Sequence, residues 1–179
     1  MGYIKCDSDD KLASESLAFL VVGLKSFFKI PFGYFLIDKI NAERQAILVK
    51  DALYILGMAG FNVHAVVCDG SYTNQATATA LGCSLRVNNI DTTFKNSFES
   101  DSEVLFMFDA CHLLKTVRNC LGDLKVLYSN GEEINWKYIQ ALHELQLDYD
   151  LNLCNKLKGK HLNYQNNKMK VSLVPIRPI

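Results

Sequence analysis

Two apolar runs open the pattern: LAFLVVGL at 17–24 and FFKIPFGYFLI at 27–37, rich in β-branched and aromatic residues and separated by Lys25 and Ser26. Such a pair predicts an antiparallel hairpin. Residues 42–59 then carry Ala46, Leu48, Val49, Ala52, Leu53, Ile55, Leu56 and Met58 at spacings of three and four, with Glu43, Arg44, Lys50 and Asp51 between them. That is an amphipathic helix, and Gly60 closes it. VHAVVCD at 63–69 is a short continuous apolar run ending in an acid, which predicts a strand buried on both faces. Gly70 to Asn74 offer turn and N-cap chemistry, and QATATALGC continues as a small-residue helix that stops at Gly82.

A polar stretch follows from 86 to 103, and VLFMFD at 104–109 repeats the strand-then-acid pattern. The next segment, ACHLLKTVRNCLG, places Leu113, Leu114, Val117 and Leu121 on one helical face, and residues 134–158 read as mostly helical. Hairpin, helix, strand, helix, strand, helix is the order of an α/β sheet, whose ligands gather at the carboxyl ends of the strands. Attention therefore falls on Asp69 and Asp109.

Composition narrows the classes. The chain has 179 residues, 49% hydrophobic and 11% aromatic, enough apolar material for a sizeable core and too much for a disordered or fibrous protein. Lys and Arg number 19 against 19 Asp and Glu, so any DNA contact comes from local patches or from further parts, because a phosphate binder usually carries a basic excess. No apolar run approaches the roughly 20 residues of a membrane helix. The acidic opening MGYIKCDSDDKLASES does not read as a secretory signal, so an intracellular, non-secreted protein without a membrane span is expected. Six cysteines contain no C-x-x-C pair and are expected to be reduced structural thiols.

The chemistry-bearing residues each carry two readings. Asp69, at a strand end opening onto a helix, is a divalent-cation ligand or an N-cap and Asx-turn acid. Asp109 is a second ligand, if its strand lies beside the first, or a helix cap. Two-metal phosphodiester chemistry needs two or three converging acids. Cys111 and His112 are adjacent on a helix and point apart, which argues against a catalytic pair. Lys115 and Arg118 share a face that meets phosphate or is merely solvated. Lys156, Lys158, Lys160, His161, Lys168 and Lys170 form a basic cluster with the same two readings. Trp136, Tyr138, Tyr149 and Tyr164 are stacking platforms or packing residues. Neither a P-loop nor G-x-G-x-x-G is present.

LAFLVVGL, KIPFGYFLI, VVCDGSYTN followed by ALGCSL, FMFDACHLLKTVRNCLGD, INWKYIQALHELQ and NKLKGKHLNYQNNKMKV, in this order and spacing, resemble the P-element-type DNA transposases, the family that includes the THAP-domain transposases of animals. The resemblance implies an α/β fold with an incomplete RNase H-like mixed sheet of the retroviral-integrase type, lacking its first strand, followed by a mostly helical segment. Residues 1–107 correspond to the RNase H-like domain and 108–179 to the beginning of a GTP-binding insertion domain. Asp69 matches a catalytic, Mg²⁺-binding aspartate. Asp109 falls in the D-A-C-H-x-L-K block where the two domains meet, and is carried as a further metal residue. Lys115, Arg118, Lys168 and Lys170 are carried as phosphate contacts. DNA at transposon ends is the implied partner, GTP a further ligand, and the nucleus the implied location; a homo-oligomer stays open.

The chain departs from the family in several places. An L-D-E-M-like strand with the first aspartate is not visible in MGYIKCDS, the last glutamate is not reached by Ile179, a C-x-C-C zinc module is not seen, and VSLVPIRPI differs from the usual continuation. A fragment of a cut-and-paste transposase, inactive alone and marginally stable, is therefore expected. The alternative is a domesticated module that binds DNA, nucleotide or protein without catalysis. A product with no function of its own is the third reading.

Overall fold

The computed structural model describes residues 13–149, 157–163, 165 and 168. The chain divides into two compact units, Met1–Met107 and Phe108–Ile179, each described by itself.

In the first unit, β1 (Glu15–Val22) pairs antiparallel with β2 (Lys29–Ile37), Glu15 opposite Ile37 and Val22 opposite Lys29. The register slips between Phe19 and Leu20, which face Gly33 and Pro31. A bulge there suits proline, which has no N–H to give the ladder. Phe19 packs against the rings of Phe32 and Phe35, with centroids 6.0 and 5.9 Å away. The turn is wider than the polar Lys25 and Ser26 suggested: it spans Gly23 to Phe28, closed by Gly23 N donating to the Phe28 carbonyl at 3.1 Å, and leaves apolar Leu24 and Phe27 exposed.

Helix α1 (Ala42–Met58) starts where Asn41 Oδ1 accepts from Arg44 N. It ends in a Schellman motif: Gly60 at φ +82° lets its N–H reach the Gly57 carbonyl while Phe61 N reaches Leu56. Ala46, Val49, Ala52, Leu53 and Leu56 are buried as the periodicity predicts, but Ile55 and Met58 are exposed and the polar Gln45 takes a buried position. β3 (Ala65–Cys68) leads to α2 (Tyr72–Leu81), capped by the Ser71 side chain at Asn74 N and stopped by Gly82 at φ +116°.

β4 (Ser84–Arg86) and β5 (Asn89–Asp91) form a small hairpin, and β6 (Thr93–Lys95) pairs antiparallel with β7 (Glu103–Phe108). The 86–103 stretch is thus partly strand. Its polarity hides this, because Phe94 alone anchors β6, packing edge-on against Phe106 at 6.4 Å. The central sheet runs β3, β7, β6. Leu105 N donates to the His64 carbonyl and Cys68 Sγ lies 4.0 Å from the Met107 carbonyl, so contacts advance together and β3 and β7 run parallel. Val104 is fully buried, whereas Val67 in β3 is 62% exposed. The expectation of a strand buried on both faces is corrected: continuous apolarity does not say that each face has a cover.

In the second unit, α3 (Ala110–Leu124) is followed by β8 (Val126–Ser129), β9 (Glu132–Asn135), α4 (Trp136–Asp148) and the short α5 (Gly159–Leu162). The hairpin precedes the segment read as helical and takes its first two residues, Ile134 and Asn135, into β9. Its turn is Asn130-Gly131 with φ of 52° and 82°, the residue pair that favours two-residue hairpins. Leu121 and Trp136 form the core of this unit, with Leu127, Ile139 and Leu162 against them. Of the apolar face read on α3, Leu121 is buried and Leu113, Leu114 and Val117 are exposed. The LNLCNKL segment lies outside the described residues.

Candidate functional site

Asp69 directly follows β3, and the backbone there turns at once into the first residues of α2. Its Oδ1 accepts from Ser71 N at 3.0 Å, an Asx-turn, and from Asn74 Nδ2 at 2.8 Å. Asn74 Nδ2 also reaches the Asp69 carbonyl at 3.2 Å, and Gln75 Nε2 donates to the Gly70 carbonyl at 2.9 Å. Behind them, Gln45 Nε2 on α1 donates to Asn74 Oδ1 at 2.6 Å. The acid is exposed to solvent yet held by strand, turn and helix together. Both readings of Asp69 are compatible with this geometry, since an Asx-turn carboxylate at a strand end also presents hard oxygen to solvent.

The neighbouring Cys68 thiol is pushed up to about 11 by burial and then by the Asp69 charge, so it stays protonated at neutral pH and is a poor nucleophile. Cys68, Cys83, Cys111 and Cys120, the described cysteines, are free thiols.

In the second unit Asp109 is the N-cap of α3. Oδ1 accepts from Cys111 N at 2.8 Å and Oδ2 meets His112 Nδ1 at 2.7 Å. His112, and then the Cys111 N–H, hold this carboxyl below the usual carboxylate range. The sequence carries a signal for this pairing in the D-x-x-H spacing, since a residue three positions on from an N-cap acid lies on its face.

The phosphate candidates are partly engaged. Arg118 donates from Nε and Nη2 to Asn119 Oδ1 at 3.1 and 2.9 Å. Lys168 Nζ pairs with both oxygens of Asp123 at 2.8 and 2.9 Å. Lys115 is half-buried on α3, and Lys170 lies outside the described residues. Of the aromatics, Trp136 is core at 3% exposure, Tyr138 and Tyr149 are exposed, and Tyr164 lies outside the described residues.

Asp69 fits Mg²⁺ in kind, because this cation is held through one or two carboxylates plus water and substrate phosphates. Among the described residues, no group of three or more His, Cys, Asp or Glu converges. No helix among them is long and apolar enough to cross a membrane.

Residues 1–82 match the family description TNP-like, RNase H N-terminal domain, and residues 111–175 match TNP-like, GTP-binding insertion domain. The fold is similar to the Drosophila P element transposase strand transfer complex, with a TM-score of 0.72 and 28% identity over 88% of this chain and 34% of that one. The chain belongs to the P-element/THAP-type transposase family. Among transposase relatives, it is 27% identical to the human DNA transposase THAP9 over 172 residues, 96% of this chain and 19% of that protein. It is 29% identical to the transposable element P transposase of Drosophila melanogaster over 155 residues, 86% of this chain and again 19% of the relative. The chain thus spans about a fifth of the length of the curated transposases it matches. Its N-terminal part is RNase H-like, a mixed α/β fold followed by a segment with helices.

Proposed function

We propose that this chain is the part of a transposase in which residues 1–107 form an RNase H-like domain and 108–179 begin the GTP-binding insertion. Asp69 is its catalytic, metal-binding carboxylate, and DNA in the nucleus is its substrate. One observation carries the reading: an exposed acid at the end of a parallel strand, its carboxylate oriented by Ser71 N and Asn74 Nδ2. When bound, Mg²⁺ supplies charge neutralisation and polarisation at a phosphodiester. Asp69 contributes a fixed oxygen donor, and Asn74 and Ser71 keep it oriented. Asp109, carried as a further metal residue, would have to give up its contacts to Cys111 and His112 to take a cation.

A Mn²⁺ titration of the whole chain, followed by NMR line broadening, tests this. Saturable broadening centred on Asp69 and lost in Asp69→Asn is the expected result; broadening indifferent to that substitution refutes the assignment. With two-metal chemistry requiring further acids, the chain by itself is expected not to cleave DNA. Metal-dependent cleavage abolished by Asp69→Asn would overturn that expectation.

A second reading, a DNA- or nucleotide-binding module without catalysis, is favoured by the cations gathered on His161. Burial, and then the charges of Lys160, Arg118 and Lys158, disfavour its protonation. Saturable binding of GTP or DNA that weakens with added salt supports it, and no binding at near-physiological salt ends it.

A further inference from the structure

We infer that Gln45 and Asn74 are positioning residues that set the orientation of the Asp69 carboxylate from α1 and α2. The inference rests on the reading of Asp69 as a metal ligand and deepens it. An ionised carboxylate and a backbone carbonyl only accept hydrogen bonds. Asn74 therefore has to turn its NH₂ toward Asp69, where Nδ2 lies 2.8 Å from Oδ1 and 3.2 Å from the carbonyl. Its own oxygen then faces away from the loop, and Gln45 Nε2 meets that oxygen at 2.6 Å.

A solvent-facing asparagine exchanges its two amide ends freely, but this one is pinned by a buried donor. Gln45 is 9% exposed and sits among the apolar residues of the α1 core face. Leaving its amide without Asn74 is unfavourable, so each end of the relay holds the other. The donors all point one way, from Gln45 to Asn74 to Asp69. The buried face of α1 thereby sets an acid 24 residues downstream in the chain. A ligand held in this way meets its cation without first losing rotamer freedom, the role that outer partners play at metal centres.

The test uses the full chain with three variants. Asn74→Ala removes the donor to Asp69. Gln45→Leu removes the remote donor and keeps an apolar side chain in the core, which guards against a fold lost at Asn74. Thr79→Ala, the control on the same helix, removes an exposed hydroxyl that donates to the Gln75 carbonyl at 3.2 Å and leaves Gln45, Asn74 and Asp69 as they are. Without metal, three-bond couplings at the Asp69 β-protons are expected to report one χ1 rotamer in the parent chain and in Thr79→Ala, and averaged rotamers in Asn74→Ala and Gln45→Leu. A single rotamer in both of the latter overturns the inference.

With Mn²⁺ as the probe, Asn74→Ala and Gln45→Leu are expected to bind about tenfold more weakly or worse, while Thr79→Ala binds like the parent. Undiminished affinity in both also overturns it. Rotamer averaging together with no Mn²⁺ broadening in the parent chain refutes the metal reading of Asp69 and upholds the orienting role of Gln45 and Asn74.

Discussion

Gly57 on α1 lies face to face with the side chain of Phe98: a Cβ built on the glycine would overlap Phe98 Cβ, Cγ and Cδ1. The overlapping Cβ and Cγ lie close to the Phe98 backbone, whose N–H donates to Asn96 Oδ1 at 3.0 Å, and Tyr54 packs edge-on against the ring at 5.8 Å. Glycine here trades helix propensity for close approach.

Gly57→Ala is accordingly expected to destabilise the first unit by about 1–3 kcal/mol through overpacking, outweighing the roughly 0.5–1 kcal/mol that alanine gains in a helix. Urea unfolding measures the difference. In a Phe98→Ala background the penalty should shrink, because the overlaps with Cγ and Cδ1 are gone and only the one with Cβ is left. A double-mutant cycle with no coupling would show that the two sites do not communicate.

Acid should loosen the start of α3. Asp109 titrates below the usual carboxylate range because His112 and the Cys111 N–H favour its charged form. A lowered folded-state value means that the stabilisation is present above the ordinary Asp value near 4 and is lost as pH falls through the lower folded value. Amide exchange at Cys111 and His112 should therefore stay slow down to about pH 4 and accelerate below it. Asp109→Ala should lose the cap at neutral pH, at a cost of about 0.5–2 kcal/mol, and flatten that acid response.

The short α5 should respond to pH in a higher window. His161 Nδ1 accepts from Lys158 N at 2.9 Å, which requires an unprotonated nitrogen. Burial, and then Lys160, Arg118 and Lys158, lower its proton affinity. With the folded value below the ordinary one near 6.5, this contact is intact above that pH and is lost progressively as pH falls below it. Imidazole shifts and Lys158 amide exchange followed from pH 7.5 to 4.5 check this. His161→Gln should remove the transition.

The β8–β9 turn depends on Gly131 at φ +82°. Gly131→Ala forces a Cβ into left-handed backbone and should cost about 1–2 kcal/mol in the second unit. Trp136 fluorescence, buried beneath the cation of Lys125 at 5.8 Å, reports its unfolding. Asn130→Gly should be nearly neutral by comparison. Equal losses at the two positions would argue against the turn geometry.

Much of this molecule is written in local pattern. The hairpin, α1, α2, β7 and α3 follow from runs and periods that any window of the sequence displays, and Ser71, Gly60 and Gly82 punctuate them through short-range backbone chemistry. The positions of Asp69 and Asp109 at strand ends are local facts of the same kind. The β8–β9 hairpin is equally legible in Asn130-Gly131, a pair that lies between the two segments of helical pattern.

Other features required the chain to fold. Phe94 makes a strand of a polar segment only because Val104 and Phe106 stand ready in β7, and Val67 is exposed because a continuous apolar run does not specify a cover for each face. Gln45 looks like one polar residue on an amphipathic helix until the packing of α1 beside α2 brings its amide to Asn74, and through Asn74 to Asp69. The sequence by itself determined which residues begin, end and fill each element, since those choices are settled by dihedral preference and burial within a few turns of chain. The direction of an amide, the partner of an acid and the exposure of a strand were decided only by tertiary structure, because each depends on groups that are distant in sequence and meet only once their elements have packed.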